Sequence, residues 1–226
     1  MRLVTCAALC FLAAAPAWAE ATMTVSGVGE VAAAPDMATI SLGVTTEATE
    51  AAEAMRRNSE AMAAVLAAVA AAGVAERDVQ TSSLSLSPRW EPPRPNETEP
   101  RVSGIVATNL VTVAVRDLDA LGGVLDAVLG EGANTLHGLS FGVADDTALK
   151  DAARQAAVTD ATRKARVLAE AAGVTLGPVT EIVEGGGFGG PLPGARMDMA
   201  MAESVPVAPG ELSLQATVTM TWTLGE

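Results

Sequence analysis

Cysteine is nearly missing from this chain. Its 226 residues hold two, Cys6 and Cys10, and both lie in the first ten positions. If that opening is removed on export, what remains has no disulfide, no thiol nucleophile and no Cys-ligated metal. Tyrosine is absent, His137 is the single histidine, and aromatic residues are 3% of the chain. The usual acid–base and nucleophilic groups are therefore sparse. The core must be built from Val, Leu, Ile and Ala, which stabilises less per residue than an aromatic-rich one. That favours extra burial between subunits. Basic residues are also few, 14 Lys and Arg against 27 Asp and Glu, for a net charge of −13. So acidic a surface repels phosphate backbones and argues against nucleic acid as a partner. It offers no polybasic patch to anionic lipid either.

The opening reads as a leader. Met1-Arg2 is a short positive start, Leu3 to Ala15 is an apolar run, and Ala17-Trp18-Ala19 is a small-x-small cleavage site. The run is too short to span a bilayer. Cys10 follows Leu9, where lipid attachment wants a small residue. The expectation is a signal peptide over 1–19, a mature chain over 20–226 and a periplasmic address. A cysteine-free mature chain suits that oxidising compartment. Losing Arg2 takes the net charge from −13 to −14. The nearest later apolar run, Ala61 to Val74, reads as a buried helix face.

What is present is a pattern written twice. Ile40-Ser41-Leu42-Gly43-Val44 leads through an Ala-rich helix to Ala72-Gly73-Val74. Leu139-Ser140-Phe141-Gly142-Val143 leads through another to Ala172-Gly173-Val174. Val44 to Gly73 is 29 positions (73 − 44) and Val143 to Gly173 is 30 (173 − 143). The near-equal spacing implies a duplicated β-α-β-β unit, with pseudo-repeats at about 37–115 and 136–224. Thr22 to Val31 is a first strand. With Ala38 to Thr45 it is expected to form a hairpin across Ala34-Pro35-Asp36. The first long helix runs from about Ala48 to Ala72, with Met55, Met62, Val65, Leu66 and Val69 as its apolar stripe and Gly73 as its C-cap. Val79 to Pro88 and Gly104 to Val115 are strands joined by a Pro-rich loop, Trp90 to Arg101. Asp117 is expected to cap a short helix carrying Leu118, Leu121, Leu125 and Val128. Asp145 or Asp146 caps the second long helix, where Ala153, Ala157, Ala161, Ala165 and Ala169 recur every four residues, a flat face for a sheet. Val174 to Glu184 is a strand. Gly185 to Gly210 is a Gly/Pro/Met loop with no expected regular structure. Leu212, Leu214, Ala216, Val218, Met220, Trp222 and Leu224 alternate with polar residues in the last strand. The fold class is α+β, antiparallel sheet with long helices packed on one face.

The chemical motifs are weak. Gly27-Val28-Gly29-Glu30-Val31-Ala32 has the letters of a dinucleotide fingerprint, but Pro35-Asp36 and a second strand follow where a helix must start. A bulged strand explains it instead, and no cofactor is expected. His137 is placed on a strand face with Leu139, Phe141 and Val143, as a structural group. Asp145-Asp146 and Asp117 with Asp119 read as helix caps. Met197, Met199 and Met201 form the one suggestive cluster. Thioethers on an accessible loop could bind Cu(I) or be oxidised sacrificially. They could equally cover apolar surface in a subunit contact.

The order of elements resembles the SIMPL-domain family of bacterial periplasmic proteins. The resemblance covers the whole mature chain. It is carried by Val25-Ser26-Gly27-Val28-Gly29-Glu30-Val31 with Pro35-Asp36, by Asp78-Val79-Gln80-Thr81 leading to Leu84-Ser85-Leu86-Ser87-Pro88, by Val113-Ala114-Val115-Arg116-Asp117, by Gly132-Ala133-Asn134 and by Ala172-Gly173-Val174. Trp90 stands for the aromatic usually found after the Pro88 position. The resemblance implies a periplasmic or outer-membrane-associated protein of the immunogenic or oxidative-stress-defence type that forms homo-oligomers. It implies no established enzyme activity and supplies no catalytic residues.

The expected function is thus a non-catalytic, self-assembling envelope protein linked to envelope or oxidative stress defence. A soft-metal or oxidant scavenger using Met197, Met199 and Met201 is one alternative. A periplasmic hydrolase with an unrecognised site is the other. The address is checked directly: mass spectrometry of native protein is expected to show a chain beginning at Glu20. An intact Met1 in a cytoplasmic fraction would overturn it.

Overall fold

The computed structural model describes residues 20–93, 95, 98–186, 192–194 and 207–225. The leader, with Ala17-Trp18-Ala19, Cys6 and Cys10, lies outside them, as do Met197, Met199 and Met201. The elements run β1 (Thr22–Ala33), β2 (Met37–Ala48), α1 (Ala51–Ala71), a 3-10 turn (Glu76–Asp78), β3 (Val79–Glu91), β4 (Arg101–Val115), α2 (Leu121–Gly130), β5 (Thr135–Gly142), α3 (Thr147–Ala172), β6 (Thr175–Glu184), β7 (Leu192–Gly194) and β8 (Glu211–Gly225). The mixture is α+β, as the periodicities imply. One sheet was expected and two four-stranded sheets form. One has the order β3-β4-β2-β5, and the other β1-β8-β6 with β7 also on β8. β7 is a correction, because it places a short strand inside the segment expected to hold none.

The β1–β2 hairpin does not form. β4 takes one edge of β2 and β5 the other, both antiparallel, so β2 has no edge left for β1. The turn is tied elsewhere too. The Asp36 amide donates to the Gly142 carbonyl at 3.0 Å, and the Asp36 carboxylate accepts the Ala144 amide at 2.7 Å. β1 lies beside β8 instead. The pairing also rearranges the two β-α-β-β segments. β3-β4-β2 in one sheet answers to β6-β8-β1 in the other, so β1 fills the place that sequence order would give to β5. The order of elements repeats, but the sheets do not close as two equal copies.

The described residues divide into two compact units. The first is drawn from Met1–Gly29, Gln155–Gly186 and Thr217–Glu226, the second from Glu30–Arg154 and Gly187–Ala216. In the second unit, Ile40, Leu42 and Val44 of β2 and Val111, Val113 and Val115 of β4 form one sheet face. It is buried under Met62, Val65 and Val69 of α1 and Leu121, Val124 and Val128 of α2. The other face carries hydroxyls, with the Thr45 hydroxyl bonded to those of Thr108 (3.3 Å) and Thr135 (2.9 Å) across three strands. α1 buries Met62, Val65 and Val69 of its expected stripe and leaves Met55 half-buried. Its buried stripe is Ala54, Asn58, Met62, Val65 and Val69, and Leu66 is left exposed. Asn58 stands out on the buried side. It is fully buried, and its amide donates to Val44 O (2.8 Å) and Ala107 O (3.1 Å), bridging β2 and β4. A buried amide so bonded holds the helix phase, since losing its partners would cost about 1–3 kcal/mol. Gly73 (φ +88°) and Gly173 (φ +71°) follow the long helices in the left-handed conformation that ends them.

In the first unit, the Ala stripe of α3 is buried at Ala157, Ala161, Ala165 and Ala169. The last strand keeps its predicted phase, with Val218, Met220 and Trp222 buried. Trp222 is one of few bulky core residues, at 3% exposure. Trp222→Ala is expected to cost about 3–5 kcal/mol, read as a shift of the denaturant midpoint with unchanged slope. An unchanged midpoint would contradict its place in the core.

Candidate functional site

Most residues singled out for chemistry serve structure. Asp145 and Asp146 both start α3. The Asp145 carboxylate accepts the Thr147 amide at 3.1 Å, and the Asp146 carbonyl accepts the Lys150 amide at 2.9 Å. Bonds from Thr147 hold the Asp145 carboxyl below its ordinary range. Asp117 does not cap α2, whose first residue is Leu121 and whose Ala120 N-cap has no side-chain bond. Its carboxylate takes the Asp119 amide at 3.1 Å and its carbonyl takes that of Ala120 at 3.2 Å, so it shapes the preceding turn. His137 is exposed and off the apolar face expected for it. Ser41 pairs with Gly138 and Leu42 with Leu136, so His137 is the extra residue of a bulge, where alternation breaks. Among the described residues, no three His, Cys, Asp or Glu side chains are grouped to hold a metal.

A cleft of about 400 Å³ lies beside the end of α1, lined by Gly73, Val74, Arg77, Asp78, Arg116 and Asp117 among others. Its charges answer one another. Arg116 donates to both Asp78 oxygens, at 2.7 Å from Nη2 and 3.0 Å from Nε. This holds Asp78 below the ordinary carboxylate range. The fork ties the 3-10 turn to the end of β4.

The glycine-rich start of the chain has a different use from phosphate binding. A Cβ on Gly27 would sit 2.1 Å from the Ala157 carbonyl oxygen and 2.7 Å from the Ala161 Cβ. Only glycine lets α3 come this close to β1. Two backbone groups of β1 are then covered by helix side chains. Asp160 Oδ2 accepts the Val28 amide at 3.0 Å, and Lys164 Nζ donates to the Ser26 carbonyl at 3.2 Å. Lys164 and Arg163 also bond the Asp160 carboxylate, both at 2.7 Å. This protects β1, an edge strand, from pairing with another chain.

Lys164, then the Val28 amide, then Arg163 hold the Asp160 carboxyl well below its usual range. A carboxyl with a lowered folded pKa binds its proton less readily folded than unfolded. Its contribution is therefore whole above the unfolded value, about pH 4, and is lost as pH falls towards the folded one. Asp160→Asn is expected to flatten the loss of stability between about pH 4 and pH 2, measured by denaturant unfolding across that range. An equally steep loss in the variant would show that this carboxylate is not part of the acid limb.

The feature that the sequence reading passed over is apolar and exposed. Leu84, Leu86, Pro88 and Trp90 alternate onto the helix-side face of β3, opposite Asn109, Ala107, Ile105 and Val102 of β4. Leu84, Leu86, Trp90 and Val102 are 46–59% exposed. Trp90 is one of two tryptophans beyond the expected leader, so its exposure is a marked departure from burial. At the base of the arm, Arg89 is bonded to Glu47 and Arg101 to Glu91. The Pro-rich segment joins the strands as a hairpin, as expected, but β3 runs on to Glu91 and takes Trp90 out of the loop.

The profile of the family described as "SIMPL: Protein of unknown function (DUF541)" matches residues 23–222. The 26 kDa periplasmic immunogenic protein of Brucella melitensis biotype 1 is 38% identical over 206 residues, which is 88% of this chain and 82% of that protein. The protein called "Uncharacterized protein YggE" in Escherichia coli K12 is 32% identical over 193 residues, 85% of this chain and 76% of that one. Matched from β1 to β8, the chain belongs to the SIMPL family.

Proposed function

We propose that this chain is an exported, non-catalytic periplasmic protein that assembles with copies of itself in the cell envelope, in the service of envelope or oxidative stress defence. The observation that carries self-assembly is the uncovered face of β3 and β4. Leu84, Leu86, Trp90 and Val102 each leave about half their surface in water. Contiguous apolar patches of this kind mark interaction sites. The low aromatic content points the same way, because a chain short of bulk gains from burial between copies. The leader-like opening and the periplasmic relatives of Brucella support the address. The stress role rests on the resemblance to the stress-defence type.

The chain from Glu20 is expected to scatter light as a multiple of its own mass. In a Trp222→Phe variant Trp90 is the remaining tryptophan, and its emission is expected to shift to the blue as concentration rises. A monomer mass at every concentration, with water-exposed Trp90 emission throughout, would overturn the assembly. For the stress role, a deletion strain is expected to lose viability faster than its parent under peroxide, and equal survival would remove that part of the proposal.

A further inference from the structure

The cleft at the end of α1 does not stand alone. It shares Ala72, Ala120 and Val124 with a second cleft, of about 560 Å³, that runs on between α1 and α2 past Ala68, Ala71, Gly123 and Ala127 to Glu131. The two make one groove. Its first end is polar, held by Arg77, Asp78, Arg116 and Asp117, and the stretch beyond is walled by small apolar residues. A Cβ on Gly73 or on Gly123 would meet nothing within 4 Å, so the groove is open at both places. Volumes of 400 and 560 Å³ fall in the range of small-molecule pockets, about 300–1,000 Å³.

The polar end shows its bases and hides its acid. The Asp78 side chain is 8% exposed, and Arg116 donates to both of its oxygens through Nε and Nη2. That fork leaves the Nη1 amino group of Arg116 unused. Arg77 is 80% exposed and comes only within 3.9 Å of Asp78, a carboxylate already taken. The other acids beside Arg116 are engaged, Asp117 with the Asp119 amide and Asp36 with that of Ala144. An incoming group therefore meets two guanidinium faces and no carboxylate free of a bond.

We propose that this groove binds a single-chain carboxylate, a free fatty acid, with its head on Arg77 and Arg116 Nη1 and its chain along Ala68, Ala71, Gly123 and Ala127. A planar carboxylate matches the guanidinium fork, and charge-assisted bonds of this kind are stronger than neutral ones. The chain passes no hydroxyl or amide side chain before Glu131, so its burial strips water from apolar surface alone. The net charge of −13 does not prevent this, because salt screens the distant acids and leaves the contact with Arg77 in force. The groove shares no residue with the apolar face of β3, and binding here is independent of assembly.

Laurate, kept below its micelle concentration at neutral pH, is titrated calorimetrically into the chain from Glu20. It is expected to bind, with acetate and dodecyltrimethylammonium each at least about tenfold weaker, the first for want of a chain and the second for the wrong charge. Arg77→Gln is expected to weaken laurate about tenfold. Gly123→Leu is expected to abolish binding by filling the groove. Its denaturant midpoint is expected at or above the parent's, since its Cβ meets open space and leucine favours helix over glycine. Leu86→Ser, on the β3 face, is expected to leave binding unchanged. Failure to bind laurate would overturn the proposal. So would acetate or the ammonium binding as tightly as laurate, or an unchanged affinity in Arg77→Gln. Binding lost in Leu86→Ser and kept in Gly123→Leu would place the chain on β3 and overturn it too.

Discussion

The constraint on which the rest depends is a shortage of bulk. With few aromatic side chains, helices and strands must approach closely to exclude water, and small residues decide where they can. Gly27 under Ala157 and Ala161 is the instance between a helix and a strand: a single methyl at Gly27 would enter the Ala157 carbonyl. Close approach then brings Asp160 and Lys164 within bonding distance of the β1 backbone. The Ala stripe, the glycine and the charged cover of the edge are parts of one arrangement.

The second unit meets the same shortage with polarity. Asn58 occupies a buried helix position where a leucine would be the ordinary choice, and its amide ties two strands to α1. A hydrogen-bonded buried amide specifies one phase of the helix, where a stripe of Ala and Val would tolerate several. Leu66, off that stripe, keeps 38% of its surface exposed, and the apolar face of β3 stays open. Self-assembly, as proposed, puts that face to use.

The acidic composition and the exposed apolar edges act in opposite directions. A net charge of −13 keeps copies apart at long range. The arm around Arg89 and Arg101, each already bonded to a glutamate, is a surface where charge is balanced locally.

Much of the fold was legible in the sequence, because local physics sets it. Alternation in Leu212 to Trp222 assigned strand and buried face. The recurrence from Ala153 to Ala169 assigned the helix face, and Gly73 and Gly173 marked helix ends that only a left-handed residue makes easily. The family was legible too, since the order of elements carries it. What lay beyond the sequence was every decision made between distant segments. Nothing near Pro35 tells that β2 has both edges taken and that β1 must pair with β8. Nothing in the α1 pattern tells that Asn58 finds two carbonyls, or that Leu66 is left partly exposed. Leu84 and Ile182 read as ordinary strand residues, and their exposure appears only once each is seen to lie on a sheet edge. Periodicity reports which face of an element is apolar, and only the tertiary structure decides which of those faces finds a cover.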